Sequence, residues 1–174
     1  MGDACDSDDD GDGISDWNDN CPRNPSERNW ISSAANDHDG DGCKDSTGED
    51  TDDDNDGISD ALDDCTPGDI GWVSNASTDY DGDGCQDFTE DLDDDNDLVN
   101  DTVDDCWRGL SNWYSTTEFD YDGDGCNDEF EDLDDDSDGV NDVNSTGVTL
   151  DECPRSPLDA QDIDERGCDA TERD

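Results

Sequence analysis

The stretch DDDGDGISDWND, residues 8–19, decides how this chain is read. Its acidic residues fall at loop positions 1, 3, 5, 9 and 12 (Asp8, Asp10, Asp12, Asp16 and Asp19), with Gly13 at position 6 and Ile14 at position 7. Carboxylates on alternate residues repel one another, so the spacing needs a cause. A hard, large cation supplies it. Ca²⁺ takes about six to eight oxygens, and carboxylates so spaced, with a backbone carbonyl at position 7, deliver them from one short loop. The glycine permits the sharp turn that brings the two halves of the loop to one ion. Mg²⁺ keeps its waters and seldom fills an all-protein cage. Cys21 and Pro22 follow directly, so no exit helix is expected and the loop is not a helix-flanked EF-hand.

The pattern recurs six times, as three back-to-back pairs. First loops open at Asp37, Asp79 and Asp120, and second loops at Asp52, Asp93 and Asp134. The first-loop candidates are Asp37, Asp39, Asp41, the Cys43 carbonyl, Asp45 and, after a one-residue insertion, Glu49; then Asp79, Asp81, Asp83, Cys85, Asp87 and Glu90; then Asp120, Asp122, Asp124, Cys126, Asp128 and Glu131. The second-loop candidates are Asp52, Asp54, Asp56, Ile58, Asp60 and Asp63; then Asp93, Asp95, Asp97, Val99, Asp101 and Asp104; then Asp134, Asp136, Asp138, Val140 and Asp142. In this last loop residues 143–150 intrude, and Asp151 is the expected position-12 equivalent. Leu98 replaces the position-6 glycine of the Asp93 loop, where weaker or altered coordination is expected. A degenerate loop opens at Asp162.

The loops keep phase with cysteines and tryptophans. Cys43, Cys85, Cys126 and Cys168 are 42, 41 and 42 residues apart, and Cys21, Cys65, Cys106 and Cys153 interleave with them. Trp30, Trp72 and Trp113 each stand seven residues before a first loop. Such periodicity marks a repeat array, with expected divisions 1–36, 37–78, 79–119, 120–161 and 162–174. Ligand-poor linkers at 21–36, 65–78, 106–119 and 153–161 hold all five prolines and four of the seven basic residues. Neither helical nor strand periodicity persists, and Gly, Asn, Asp and Ser favour successive turns.

Composition sets the limits. The chain carries 58 acidic and 7 basic residues in 174, a formal charge of −51, and only 26% hydrophobic residues. Packed domains hold roughly 45–50% apolar residues, so a sizeable hydrophobic core is excluded, and without ligands this composition belongs to a disordered chain. Nucleic acid is excluded as a partner for want of clustered Lys and Arg. No apolar run of about 18 residues exists to insert into a membrane. An enzyme is not expected: the single histidine, His38, sits inside a loop, and no core encloses a dry pocket. One divalent ion per loop would leave about −37 and two per loop about −23, and heavy residual charge opposes compactness. Spare acids at position 2 (Asp9, Asp53, Asp94, Asp135) and between paired loops (Asp50, Asp91, Asp132) are available to bridge second ions, so more ions than loops are expected.

Residues 6–22, DSDDDGDGISDWNDNCP, preceded by GDAC at 2–5, resemble a thrombospondin type 3 repeat, and the resemblance extends over essentially the whole chain. It implies calcium-wrapped chain with little regular structure, an extracellular or cell-surface location, and about two ions per motif. It also implies disulfides joining Cys21 with Cys43, Cys65 with Cys85, Cys106 with Cys126 and Cys153 with Cys168, which leaves Cys5 unpaired. Chain entropy agrees, since rings of about 20 residues around the metal-free linkers are worth roughly 3 kcal/mol each; the rival set (5–21, 43–65, 85–106, 126–153) stays open. The chain departs from vertebrate-type repeats in placing Cys43, Cys85 and Cys126 at position 7, in Thr66 and Trp107 where a proline is expected, and in Arg166 at a ligand position. It is more similar to a microbial surface-protein variant.

The expected fold is an irregular, elongated tandem array of calcium loops stapled by disulfides. Its expected role is a calcium-stiffened stalk or spacer, the chain continuing at both ends into neighbouring domains of a longer parent. The alternatives are an adhesion module, in which the linker tryptophans bind a surface or matrix protein, and an acidic calcium buffer. Trp30, Trp72 and Trp113 are expected to pack on the disulfides, with Trp17 and Trp107 exposed.

Overall fold

A computed structural model of the chain describes residues 6–23 and 30–173. Cys5, expected to be unpaired, and residues 24–29 of the first linker lie outside them. Among the described residues, regular structure amounts to one 3-10 turn, Asp45–Thr47, and one isolated antiparallel bridge between Val143 and Thr149. No helix among them is long and apolar enough to cross a membrane.

The loops form because their own carboxylates compete for backbone donors that helices or strands would otherwise use. In all seven, the position-7 N–H donates to the position-5 carboxylate at 2.6–2.9 Å, as Ile58 does to Asp56 and Cys85 to Asp83. The position-9 N–H donates to the carbonyl just before the loop at 2.7–3.3 Å. In return, the position-9 carboxylate accepts the position-2 N–H at 2.8–3.4 Å. These three bonds recur in each of the seven loops and set the backbone path that brings its carboxylates together.

Burial is inverted relative to an ordinary domain. The buried apolar residues among those described are Cys43, Cys85, Cys126 and Cys168, whereas Asp12, Asp56 and Asp97 are at most 1% exposed. Large apolar side chains lie outside, Trp17 being 96% and Phe88 93% exposed. Trp107 is also exposed, whereas Trp72 and Trp113 are half-buried with enclosed indole nitrogens. The interior is built of carboxylates although apolar side chains such as Leu62 and Phe130 are present and stay outside.

The chain divides into two compact units, Met1–Asp91 and Leu92–Asp174, the division falling between the loops at Asp79 and Asp93. The first contains the loops at Asp8, Asp37, Asp52 and Asp79 with disulfides Cys21–Cys43 and Cys65–Cys85. The second contains the loops at Asp93, Asp120 and Asp134 and the degenerate segment at Asp162, with Cys106–Cys126 and Cys153–Cys168. Each bridge spans 5.1–5.2 Å between Cα atoms, an ordinary separation. The structure thus forms the linker-closing set and not its rival. The insertion at 143–150 folds on itself as a small hairpin, with Asn144 N–H donating to the Val148 carbonyl at 2.9 Å and Leu150 N–H to the Asp142 carbonyl at 2.8 Å. It therefore adds chain without displacing the residue that follows it.

Candidate metal centres

The alternating aspartates converge. Oxygens of Asp8, Asp10 and Asp12 lie within 4.8 Å of one another, as do those of Asp37, Asp39 and Asp41, of Asp52, Asp54 and Asp56, and of Asp79, Asp81 and Asp83. The position-12 carboxylates join them, Asp19 crowding Asp10 and Asp12, Asp63 crowding Asp54 and Asp56, and Asp104 crowding Asp95 and Asp97. Asp151 lies beside Asp134, Asp138 and Asp142 and accepts the Cys153 N–H. Asp19, Asp63 and Asp104 accept the matching bond from Cys21, Cys65 and Cys106 at 2.6–2.7 Å, which makes Asp151 their structural counterpart.

The position-12 residues also couple successive loops. A Cβ on Gly42, Gly84, Gly125 or Gly167 would come closer than 3.0 Å to Asp19, Asp63, Asp104 or Asp151 respectively. Position 6 of first loops is therefore glycine for close approach as well as for its positive φ. In the single and second loops, nothing lies within 4 Å of such a Cβ on Gly13, Gly57 or Gly139. This explains how Leu98 is accommodated there, at φ 81° and 69% exposed. Glu90 and Glu131, assigned from sequence to the loops at Asp79 and Asp120, lie beside Asp63 and Asp95 of the preceding loops. Glu90 also accepts the Asp69 N–H at 3.0 Å.

A set of positioning residues escaped the sequence reading. Ser32, Ser74 and Ser115 donate their hydroxyls to the position-1 aspartates Asp37, Asp79 and Asp120, at 2.5 Å for the Ser74 pair. Their backbone N–H groups donate to the carbonyls of Asp12, Asp56 and Asp97 at 2.8–2.9 Å. Each serine thus ties the loop before its linker to the loop after it. The signal was present as a Trp-x-Ser triplet in phase with the repeat: Trp30, Trp72 and Trp113 each precede a serine by two residues.

Electrostatics show what the sites suit. Burial, reinforced by neighbouring carboxylates, pushes Asp19, Asp50, Asp53, Asp63, Asp97, Asp124 and Asp136 up to about 6, and Asp104 to about 7, from 3.8. Asp135 is raised by burial and then by a carboxyl hydrogen bond with Asp142. Buried oxygens of Asp12, Asp56, Asp97 and Asp138 at position 5, and of Asp19, Asp104 and Asp151 at position 12, have no hydrogen-bond partner. Leaving an ionised carboxylate buried and unpaired costs several kcal/mol. Many convergent, unpartnered carboxylate oxygens suit a hard divalent cation, so the residues present fit Ca²⁺.

Fold and sites together define a tandem array of disulfide-stapled, carboxylate-lined loops. Residues 1–29 match the family model described as thrombospondin type 3 repeat, and the calcium-binding repeat read from residues 2–22 falls within that match. No curated protein matches the chain.

Proposed function

We propose that this chain is an extracellular structural region, at a cell surface or in a secreted protein, that serves as a stalk or spacer whose stiffness is set by calcium. The observation that carries this reading is the carboxylate interior: aspartates stand where other domains bury leucines. Ions taken at loop positions 1, 3, 5, 7, 9 and 12 cancel the repulsion and cross-link each loop. Contacts from Asp63 to Gly84 and from Ser74 to Asp56 and Asp79 pass that order to the next loop. Asp50 lies near Asp39 and Asp41 of one loop and clusters with Asp53 of its neighbour, a bridging position that supports more ions than the seven loops.

Extracellular calcium modules work at about 10⁻⁴–10⁻³ M, so the array is soft at cytosolic calcium and hardens outside. Disulfides fit the same oxidising location. Small-angle scattering in calcium and in chelator tests the proposal. A stiff rod that becomes a flexible coil on chelation supports it, and a coil in both sinks it. A second reading, a module that binds a surface or matrix protein, is favoured by a hollow of about 310 Å³ lined by aromatic side chains including Trp113, Tyr114, Phe119 and Phe130. Replacing Trp113 would then abolish partner binding and leave the calcium-bound shape intact.

A further inference from the structure

The position-2 aspartates of the single and second loops divide into two kinds. Asp9, Asp94 and Asp135 each meet an arginine from the linker that follows: Arg23 Nε lies 2.8 Å from Asp9, Arg108 Nε 2.8 Å from Asp94, and Arg155 Nε 3.9 Å from Asp135. These arginines are the third residues of the triplets Cys21-Pro22-Arg23, Cys106-Trp107-Arg108 and Cys153-Pro154-Arg155. In the remaining linker the triplet is Cys65-Thr66-Pro67, and Pro67 stands where the arginine would be.

Two repeats permit a direct comparison, each within one compact unit. In one, Arg155 bridges Asp135 and Asp128, donating to the latter at 2.5 Å, and Asp132 crowds both carboxylates. Asp128 is position 9 of its first loop, Asp132 lies between the loops and Asp135 is position 2 of the second. Their counterparts are Asp45, Asp50 and Asp53, whose oxygens lie within 4.8 Å of one another. Asp50 is only 7% exposed, and its Oδ2 is buried without a hydrogen-bond partner, as is Oδ1 of Asp53. Both repeats thus gather three carboxylates between their loops; Arg155 lies against the set in one, and in the other the position of that arginine is taken by Pro67, with His38 the ring that faces Asp53.

We propose that Arg155 is a built-in cation standing in for a metal ion between the loops at Asp120 and Asp134, and that the absence of its counterpart at Pro67 leaves Asp45, Asp50 and Asp53 to bind a divalent cation of their own. The linker residue two after the cysteine therefore sets whether a repeat holds an inter-loop ion. This rests on the calcium reading above, but goes beyond it by assigning different ion counts to repeats that otherwise look alike. The guanidinium suits the substitution because it is always charged and lies between two carboxylates, hydrogen-bonded to Asp128 and ion-paired with Asp135.

The test is ion counting by equilibrium dialysis of the full chain against millimolar calcium, with the metal measured by emission spectroscopy. Arg155→Ser should bind one more ion than the parent chain, Arg155→Lys the same number, and Pro67→Arg and Asp50→Asn one fewer each. Near-ultraviolet circular dichroism in calcium confirms that each variant keeps the parent's tertiary signal. If Pro67→Arg perturbs that signal, Arg155→Ser and Asp50→Asn decide the matter. Unchanged counts in Arg155→Ser and Asp50→Asn overturn the inference while leaving the calcium reading intact, whereas a parent chain that binds no calcium overturns both.

Discussion

Replacing Gly84 with alanine separates the two demands placed on position 6. The residue sits at φ +93°, and a Cβ there would come closer than 3.0 Å to Oδ1 and Cγ of Asp63. Gly57 sits at φ +102° with nothing within 4 Å of the same atom. Left-handed backbone costs an L-residue roughly 1–2 kcal/mol, offset by about 0.4–1 kcal/mol because alanine restricts the unfolded chain. Gly57→Ala should therefore destabilise the calcium-bound state by about 1 kcal/mol. Gly84→Ala carries the same cost and also displaces Asp63, whose Oδ1 accepts the Cys65 N–H at 2.7 Å. Loss of a charge-assisted bond adds about 1.5–3 kcal/mol, for a total near 3 kcal/mol. The difference, about 2 kcal/mol, is roughly 30-fold in an equilibrium constant. Urea unfolding in saturating calcium, followed by tryptophan fluorescence with disulfides intact, measures both variants. Equal losses for the two would refute the close-approach argument.

Leu98→Gly should stabilise the calcium-bound chain by about 0.5–1 kcal/mol, since it relieves a positive φ at an exposed side chain, and a raised urea midpoint checks this. Ser74→Ala removes the hydroxyl bond to Asp79 and should cost about 1.5–3 kcal/mol, read as a weaker calcium midpoint in titration. With metal removed, the raised aspartates mean that the folded chain holds protons the unfolded chain releases. Their stabilising contribution is fully present below pH 3.8 and is lost as pH rises through about 6 to 7. Calcium must displace those protons, so its apparent affinity should fall as pH drops below about 6, with proton release visible in calorimetry across buffers. An affinity flat from pH 7.5 to 5 contradicts this.

What was legible in the sequence is what each loop does alone. Carboxylates at positions 1, 3 and 5 converge because bonds such as Ile58 N–H to Asp56 are local, and spacing alone encodes them. Asp151 lies beside Asp134, Asp138 and Asp142 because the 143–150 insertion closes on itself. Contacts made when a linker folds back were harder to read. Nothing in the Asp52 loop says that Asp63 will rest on Gly84, or that Glu90, while accepting the Gln86 N–H of its own loop, will also lie beside Asp63. Ser74 hid for another reason: a lone serine in a polar linker has no distinctive chemistry until its hydroxyl is seen against Asp79. Its phase with Trp72 was the only clue.

If cations take the place of a hydrophobic core, amide hydrogen exchange at pH 7 will depend on them. The N–H groups of Ile58, Cys65 and Cys85 all donate to carboxylates of candidate sites. In millimolar calcium they should be strongly protected, and after exhaustive chelation, with disulfides intact, they should exchange at nearly unfolded rates. Protection that survives chelation would show that the carboxylate interior holds itself together, and the account would be wrong.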